Sequence, residues 1–415
     1  MAEGRGAGEA GGGADGGHGE AGGARRWLYG LLPLALLAGL VALFTWTDPV
    51  GFLEDRFPPV EELTVTRVTF PEPGQMEVRV TNGGPEAVTL AQVQVDEAYW
   101  RHEIDGSRTI PRLESRTVTL PYPWVDGEPH EITLISSHGV TFTHEVEVAS
   151  ETPAAGIRYF AVFGLLGVYA GLVPVLVGLL WYPFLRDLRK KWLDFFLAFT
   201  VGLLVFLGID GLHEALETAG RVPEAYQGVG LVALGVLGAV LALKAVGSAT
   251  GGAGGGDDGA RDGPRGRLRL AYLIALGIGL HNLGEGLAIG TAYTAGELAL
   301  GSFLVIGFAL HNTTEGLGIV APVARDRPSL WHLAGMGAVA GLPTVAGTWI
   351  GAFAYSPTLT ALFLALGVGA IFQVAWEITG VMSRRGARGL VRPLNAAGLG
   401  LGLVVMYATA LFVVA

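Results

Sequence analysis

Apolar segments long enough to cross a membrane set the strongest limit on the fold of this chain. A helix needs about 20 apolar residues, at about 1.5 Å each, to cross a hydrocarbon core of about 30 Å. Of 415 residues, 51% are hydrophobic and 15% are charged, a balance typical of integral membrane proteins. The apolar runs are continuous, which indicates helices. The nine candidate spans are 27–46, 157–182, 193–216, 226–247, 269–292, 298–321, 331–353, 359–382 and 394–415.

The chain between the first two spans has a different pattern. From about 60 to 150 it alternates polar and apolar residues in short segments separated by Gly, Pro and Asp. This pattern predicts six or seven antiparallel strands in a two-sheet sandwich. The predicted fold class is therefore an all-α polytopic membrane bundle, with eight core helices and one N-terminal helix, and an inserted all-β sandwich domain.

Composition also divides the chain into domains. The first residues are rich in Gly, Ala and Glu and are expected to be disordered. The apolar run that follows is longer than a signal-peptide core and lacks a small-residue cleavage site, so we expect an uncleaved anchor. The predicted domains are a cytoplasmic tail 1–26, an anchor helix 27–46, an extracytoplasmic sandwich 47–152 and an eight-helix domain 153–415 with a flexible loop 248–266.

Basic residues predict the orientation of the spans. They cluster in alternate short loops of the last eight spans, which the positive-inside rule places in the cytoplasm. The clusters are Arg186 with Arg189, Lys190 and Lys191; Arg261 to Arg269; Arg325 with Arg327; and Arg384, Arg385, Arg388 and Arg392. We therefore expect a multi-pass protein of the cell membrane, with the tail inside and the sandwich and C-terminus outside.

Two apolar segments repeat the same ionisable pair. HNLGEGLAIG starts at His281 and HNTTEGLGIV starts at His311, and they agree at six of ten positions. Each His precedes a glutamate, Glu285 or Glu315, by four residues, so both side chains share one helix face. A charged group at mid-bilayer costs about 2.5–3.5 kcal/mol on insertion scales. A bound dication would offset that cost.

The donor types narrow the choice of metal. Imidazole and carboxylate suit Zn²⁺ and the later first-row metals, whereas nitrogen ligands disfavour Mg²⁺ and Ca²⁺. The chain has no Cys, which excludes disulfides and thiolate ligands. The alternative is that each His pairs with its Glu or with a backbone carbonyl, but packing gives no reason to duplicate the spacing.

Other polar residues accompany this pair of motifs. Asn282 and Asn312 follow the two histidines and are interpreted as weak metal ligands, donors to the ligands, or polar links between helices. A fainter repeat aligns Asp210 and Glu214 with Gln373 and Glu377. The predicted orientation puts Glu214 near the outer end of its span and Glu377 near the inner end of its own, so they either belong to opposite gates or are ordinary helix-end residues.

The motifs resemble those of the ZRT/IRT-like (ZIP) family of divalent metal transporters. The resemblance covers about 155–415, with HNxxEG on the fourth and fifth of eight spans and a variable loop after the third. It implies that His281, Glu285, His311 and Glu315 are transport-site ligands with Asn282 and Asn312 beside them. It also matches Glu377 to a glutamate on the family's seventh helix, and His213 and Glu214 to the acidic end of its second.

The chain departs from the family pattern at three positions. Gly284 and Thr314 stand where many relatives have Pro before the motif's Glu, and Leu342 stands where many have a glutamate of a second metal site. We therefore predict one principal metal site. Any bend in the two motif helices must come from a source other than proline. The cytoplasmic loop lacks the histidines frequent in relatives, so metal sensing there is not expected.

The resemblance implies import of Zn²⁺, or of iron, manganese or cadmium ions, into the cytosol with an elevator-like motion. The rival functions are a membrane-embedded metalloenzyme, although HExxH is missing, and a receptor or assembly protein built on the sandwich. We favour a non-enzymatic transporter. Its expected partners are divalent ions and lipid but no nucleic acid, and a homodimer is one arrangement the sequence allows. Four sandwich histidines are interpreted either as ordinary surface residues or as residues that capture metal outside: His102, His130, His138 and His144. Dimerisation or an accessory interaction is the alternative role of the sandwich.

Overall fold

A computed structural model describes residues 19–47, 60–152, 156–250, 263–294, 298–384 and 389–414. The chain divides into two compact units, Met1–Val60 and Glu61–Ala415. The first unit contains helix α1, Gly19–Thr47. Its apolar stretch Leu31–Thr47 is shorter than the eight long apolar helices of the second unit, so the membrane anchor remains a prediction.

The second unit begins with a β domain of nine described strands, all paired antiparallel. One sheet has the order β1-β2-β7-β5; the other has β4-β3-β8-β9, with β6 beside β3. The sequence predicted six or seven strands. The domain has more because it includes three strands of only two or three residues. The strands are β1 Leu63–Glu72, β2 Gln75–Asn82, β3 Val88–Val95, β4 Ala98–Trp100, β5 Glu103–Ile104, β6 Thr109–Ile110, β7 Ser115–Leu120, β8 His130–Ser136 and β9 Thr141–Val146.

Alternation along the strands forms the core of this domain. On β2, Met76, Val78 and Val80 are fully buried, while Glu77 and Arg79 between them point to the other face. Val78 and the inward residues of both sheets form one apolar cluster. Because successive side chains of a strand point to opposite faces, this alternation gives each sheet one apolar and one polar face.

Eight helices in the described residues are long and apolar enough to cross a membrane, which indicates a multi-pass membrane protein. The first, α2, is interrupted; it is α-helical at Ile157–Gly167, Val173–Leu179 and Tyr182–Arg186 and π-helical at Val168–Leu172. The others are α3 Lys190–Ala219, α4 Gly228–Thr250, α5 Pro264–Thr294, α6 Leu298–Val320, α7 Leu330–Phe353, α8 Pro357–Arg384 and α9 Pro393–Val414.

Helix α5 lies at the centre of the bundle and packs against α6, α7 and α8. Glycines bring its neighbours close. A Cβ on Gly286 of α5 would lie 2.9 Å from the Cα of Gly347 on α7. A Cβ on Gly316 of α6 would lie 2.8 Å from the Cα of Gly178 on α2. These backbones approach more closely than larger side chains would allow, as in other membrane helix pairs.

The β domain contacts one end of the bundle. Arg67 Nη2 donates to the Ala352 carbonyl oxygen near the end of α7 at 3.3 Å, and the backbone N–H of Glu224, before α4, donates to Glu62 Oε1 at 2.8 Å. A helix order that alternates in direction places the end of α7 and the start of α4 on one side. The loops rich in basic residues fall on the opposite side.

Two of the predicted segment boundaries differ from the ends of the described helices. Helix α1 begins at Gly19, inside the segment 1–26 that we expected to be disordered, and residues 1–18 lie outside the described residues. The expected flexible loop 248–266 is shorter, because α4 continues to Thr250 and α5 begins at Pro264. Residues 251–262 of that loop lie outside the described residues.

Candidate metal centre

The two repeated motifs lie on neighbouring helices, α5 and α6, and their ionisable side chains are buried. His281, Glu285, His311 and Glu315 are 6%, 3%, 5% and 2% exposed. The i, i+4 spacing places His281 and Glu285 one above the other on α5, and the second pair likewise on α6. The structure therefore brings the four predicted residues together from two adjacent helices, inside candidate membrane spans.

Three of these side chains form a group with the geometry of a metal site. One ligand atom each from His281, His311 and Glu315 lies within 4.8 Å of the others. It is the one group of three or more His, Cys, Asp or Glu found at such separations within the described ranges. Ligand atoms around a tetrahedral zinc ion are about 3.3 Å apart. The three donor atoms are therefore further apart than in a closed zinc site, and a bound ion would draw them together.

Glu285 lies between the two imidazoles. Its Oε1 lies 3.2 Å from His281 Nε2 and also accepts a hydrogen bond from His311 Nε2. Both imidazoles thus turn the same ring nitrogen toward one carboxylate. A metal bound there would use the Nε2 lone pairs, so the ring proton of each neutral imidazole would sit on Nδ1.

The asparagines connect the motifs to neighbouring helices. Asn282 Nδ2 donates to the Ala340 carbonyl oxygen on α7 at 3.1 Å. Asn312 Nδ2 donates to the Ala170 carbonyl oxygen on α2 and to Glu285 Oε2, both at 2.9 Å. The amide nitrogens therefore act as polar links, and Asn312 also orients Glu285. The sequence alone did not distinguish this role from the others.

A proline explains why the Ala170 carbonyl is free to accept. Pro174 has no backbone N–H and cannot donate to the residue four positions earlier, which is Ala170. The helix widens here into its π-helical turn, where the N–H of Val173 bonds to the carbonyl of Val168. Such turns occur frequently at functional sites. The sequence analysis did not predict the contact between Asn312 and Ala170. A proline inside an apolar span does indicate that a carbonyl one turn earlier lacks its helical donor.

Several buried oxygens at the centre have no hydrogen-bond donor within the described part of the chain. They are Oδ1 of Asn282, Oδ1 of Asn312 and both carboxylate oxygens of Glu315. Asn282 lies near Glu315, but its amide nitrogen is directed to α7. Buried polar groups usually have partners, and all four atoms are acceptors. A cation bound by His281, His311 and Glu315 would satisfy the Glu315 oxygens, so this donor set fits a divalent metal.

Four further residues were predicted to belong to the site, and only some of them lie near the centre: Asp210, His213, Glu214 and Glu377. Gly211 of α3 faces the His281 ring, since a Cβ there would lie 3.6 Å from His281 Nδ1. Glu214, one turn further along α3, is close enough to interact electrostatically with His281 and Glu285. Asp210 and His213 on the same helix are exposed. Of the set on α3, Glu214 therefore lies nearest the buried group.

Glu377 lies away from the centre on α8. Gly367 of that helix packs on the His281 backbone, and Glu377 follows ten residues later, about 15 Å along the axis. Its Oε1 accepts from Gln373 Nε2 at 3.2 Å. Leu342, at the position of the missing glutamate on α7, is 49% exposed.

The sandwich histidines have other contacts. His130 Nδ1 lies 2.8 Å from Asp96 Oδ2, which also accepts from Tyr122 at 2.6 Å, and His138 Nδ1 lies 2.7 Å from Glu61 Oε1. Burial raises the pKa of Asp96, but its hydrogen bonds outweigh this and hold the pKa below the ordinary value. Burial and Asp96 raise the pKa of Tyr122 to about 12. Over the described strands and loops, these histidines form no group of three ligand residues.

In comparisons with known proteins, no protein-family model and no curated protein matches the chain.

Proposed function

We propose that the protein transports divalent transition-metal ions, most readily Zn²⁺, across a membrane. The observation that carries the proposal is the buried group of His281, His311 and Glu315, with donor atoms within 4.8 Å, on two candidate membrane spans. Ionisable groups inside membrane helices are costly and typically mark an ion pathway. Two imidazoles and a carboxylate suit Zn²⁺. The same donors also bind related metals, so Fe²⁺, Mn²⁺ and Cd²⁺ are further candidate substrates.

The same residues would balance binding against release. Glu285 Oε1 contacts both imidazoles, and a substrate ion would compete with it for the same ring nitrogens. Each imidazole would bind the ion through Nε2 as a neutral ligand with its ring proton on Nδ1, and the His–Glu contacts would form again when the ion leaves. A site with an alternative partner for each imidazole holds the ion without trapping it.

We propose that ions approach from the side of the sandwich and leave into the cytosol. Glu214 lies near the His–Glu group on the side of the sandwich, so it would attract the ion, whereas Glu377 lies toward the basic loops. The direction, the alternating access and the elevator-like motion rest on the resemblance to ZIP transporters. The cytoplasmic placement of the basic loops rests on the positive-inside rule.

Metal flux into liposomes containing the purified full-length protein tests this proposal. We expect Zn²⁺ influx that Glu315→Gln abolishes. Glu217→Gln, which changes an exposed glutamate of α3, should retain influx. A protein that binds Zn²⁺ at the His–Glu group but moves none of the four metals would contradict transport and favour the membrane metalloenzyme.

A further inference from the structure

The polar face of the first sheet carries a cavity that the proposed transport does not use. It has a volume of about 310 Å³. Strands β1, β2 and β7 and the segment after β9 form its walls. The polar lining residues are Arg67, Thr69, Glu77, Arg79, Thr117 and Thr152.

Two arginines in this cavity lie directly opposite each other. Arg67 of β1 and Arg79 of β2 are cross-strand partners, an arrangement that is destabilising for like charges. Neither has an ion pair within the described residues. Burial, and then the charge of Arg79, lowers the pKa of Arg67. No acidic side chain in the described part of the chain compensates this pair.

The one acidic residue in the lining does not compensate the two arginines. Glu77 Oε1 accepts from Gln75 Nε2 at 3.0 Å, and no ion pair within 4 Å joins Glu77 to either arginine in the described structure. Two arginines and one glutamate leave the cavity with a net positive charge. Threonine hydroxyls are available as further donors, because Thr152 Oγ1 accepts from the Phe70 N–H and keeps its own proton free.

The cavity borders the end of the membrane helices. Arg67 Nη2 donates to Ala352 O, and α7 ends at Phe353. On the preceding turn, Trp349 stacks on Phe160 of α2 and donates Nε1–H to its carbonyl at 2.9 Å. Aromatic residues of this kind concentrate at the membrane–water interface. If this aromatic pair marks the membrane surface, the arginines beside it would face the lipid headgroups.

We propose that Arg67 and Arg79 bind the phosphate of an anionic lipid headgroup at the contact between the sandwich and the helical bundle. Guanidinium groups form paired hydrogen bonds to phosphate oxygens, and the threonine hydroxyls contact the remaining oxygens. The bound lipid offsets the repulsion between the two arginines. It thereby stabilises the placement of the sandwich on α7. This inference is independent of metal transport.

Native mass spectrometry of the purified full-length protein tests the proposal, with phosphatidylglycerol, phosphatidylcholine and inorganic phosphate as probes. Arg79→Gln is the main variant, because Arg79 is exposed and Arg67 also holds α7. We expect it to weaken binding of the tightest phosphatidylglycerol about tenfold, the effect of losing a charge-assisted hydrogen bond. Phosphatidylcholine should bind more weakly than phosphatidylglycerol, since its choline cation faces the arginines.

Two further variants make the result specific. Arg112→Gln removes an exposed sandwich arginine that does not line the cavity, and it should leave binding unchanged. Glu77→Gln removes the acid from the lining and should tighten binding. Equal phosphatidylglycerol binding by the wild-type protein and Arg79→Gln would overturn the proposal. So would arginine-dependent binding of inorganic phosphate without arginine-dependent lipid binding, which would indicate a site for free anions.

Discussion

The side-chain amide of Asn312 donates a hydrogen bond of 2.9 Å to the carbonyl oxygen of Ala170, so α6 is joined to the π-helical turn of α2. The same amide donates to Glu285 Oε2 on α5. One side chain thus links three helices around the candidate metal centre. The Ala170 carbonyl can accept this bond because Pro174, four residues later, has no N–H to donate to it.

Replacing Asn312 with alanine should therefore loosen the bundle and the site together. We expect Asn312→Ala to lower the free energy of unfolding by about 1–2 kcal/mol, since two buried hydrogen bonds are lost. Thermal unfolding in detergent measures the change. Thr313→Ala is the control, because its hydroxyl bonds within its own helix to Ala309. Equal melting temperatures for both variants would argue against the three-helix link.

The two glutamates of the motifs should respond differently to neutralisation. Glu315 has no hydrogen-bond donor in the described structure, so Glu315→Gln should leave the metal-free melting temperature unchanged or raise it. Glu285→Gln weakens contacts to both imidazoles and should lower that temperature. Both variants should lose at least about tenfold in Zn²⁺ affinity. The thermal shift with and without Zn²⁺ separates the two effects; a lower metal-free stability in Glu315→Gln than in Glu285→Gln would contradict this assignment.

The sequence predicts those features that depend on local pattern. Continuous apolar runs identified all eight long helices of the second unit, and alternation identified the β domain. The i, i+4 spacing placed His281 beside Glu285. By contrast, the link from Asn312 to Ala170 joins residues far apart in the chain, and no local pattern encodes which carbonyl a buried amide reaches. The short strands β4, β5 and β6 were missed because two or three residues carry no measurable alternation.

The close approach of α5 and α7 depends on glycine. A methyl group on Gly286 would overlap the backbone of Thr344 and Gly347, so Gly286→Ala should cost about 1–3 kcal/mol of stability. Gly400→Ala on α9 meets no atom within 4 Å and should be neutral or slightly stabilising. The two melting temperatures in detergent test this difference. A Gly286→Ala protein as stable as Gly400→Ala would show that these helices separate at no cost.

The absence of cysteine from the chain allows orientation to be mapped with single introduced cysteines. Arg112→Cys places one on the sandwich, and Arg392→Cys places one in a basic loop; both positions are exposed. A membrane-impermeant maleimide added to intact cells should label the first, and label the second only after permeabilisation. The reverse labelling would invert the proposed topology.

X-ray absorption at the zinc edge of purified protein loaded with one equivalent of Zn²⁺ tests the central claim most directly. We predict nitrogen and oxygen neighbours at about 2.0–2.1 Å, with imidazole scattering. The double variant His281→Ala/His311→Ala should lose that scattering, and His138→Ala/His144→Ala on the sandwich should keep it. A zinc spectrum that is unaffected by the first double variant and altered by the second would contradict the buried metal centre.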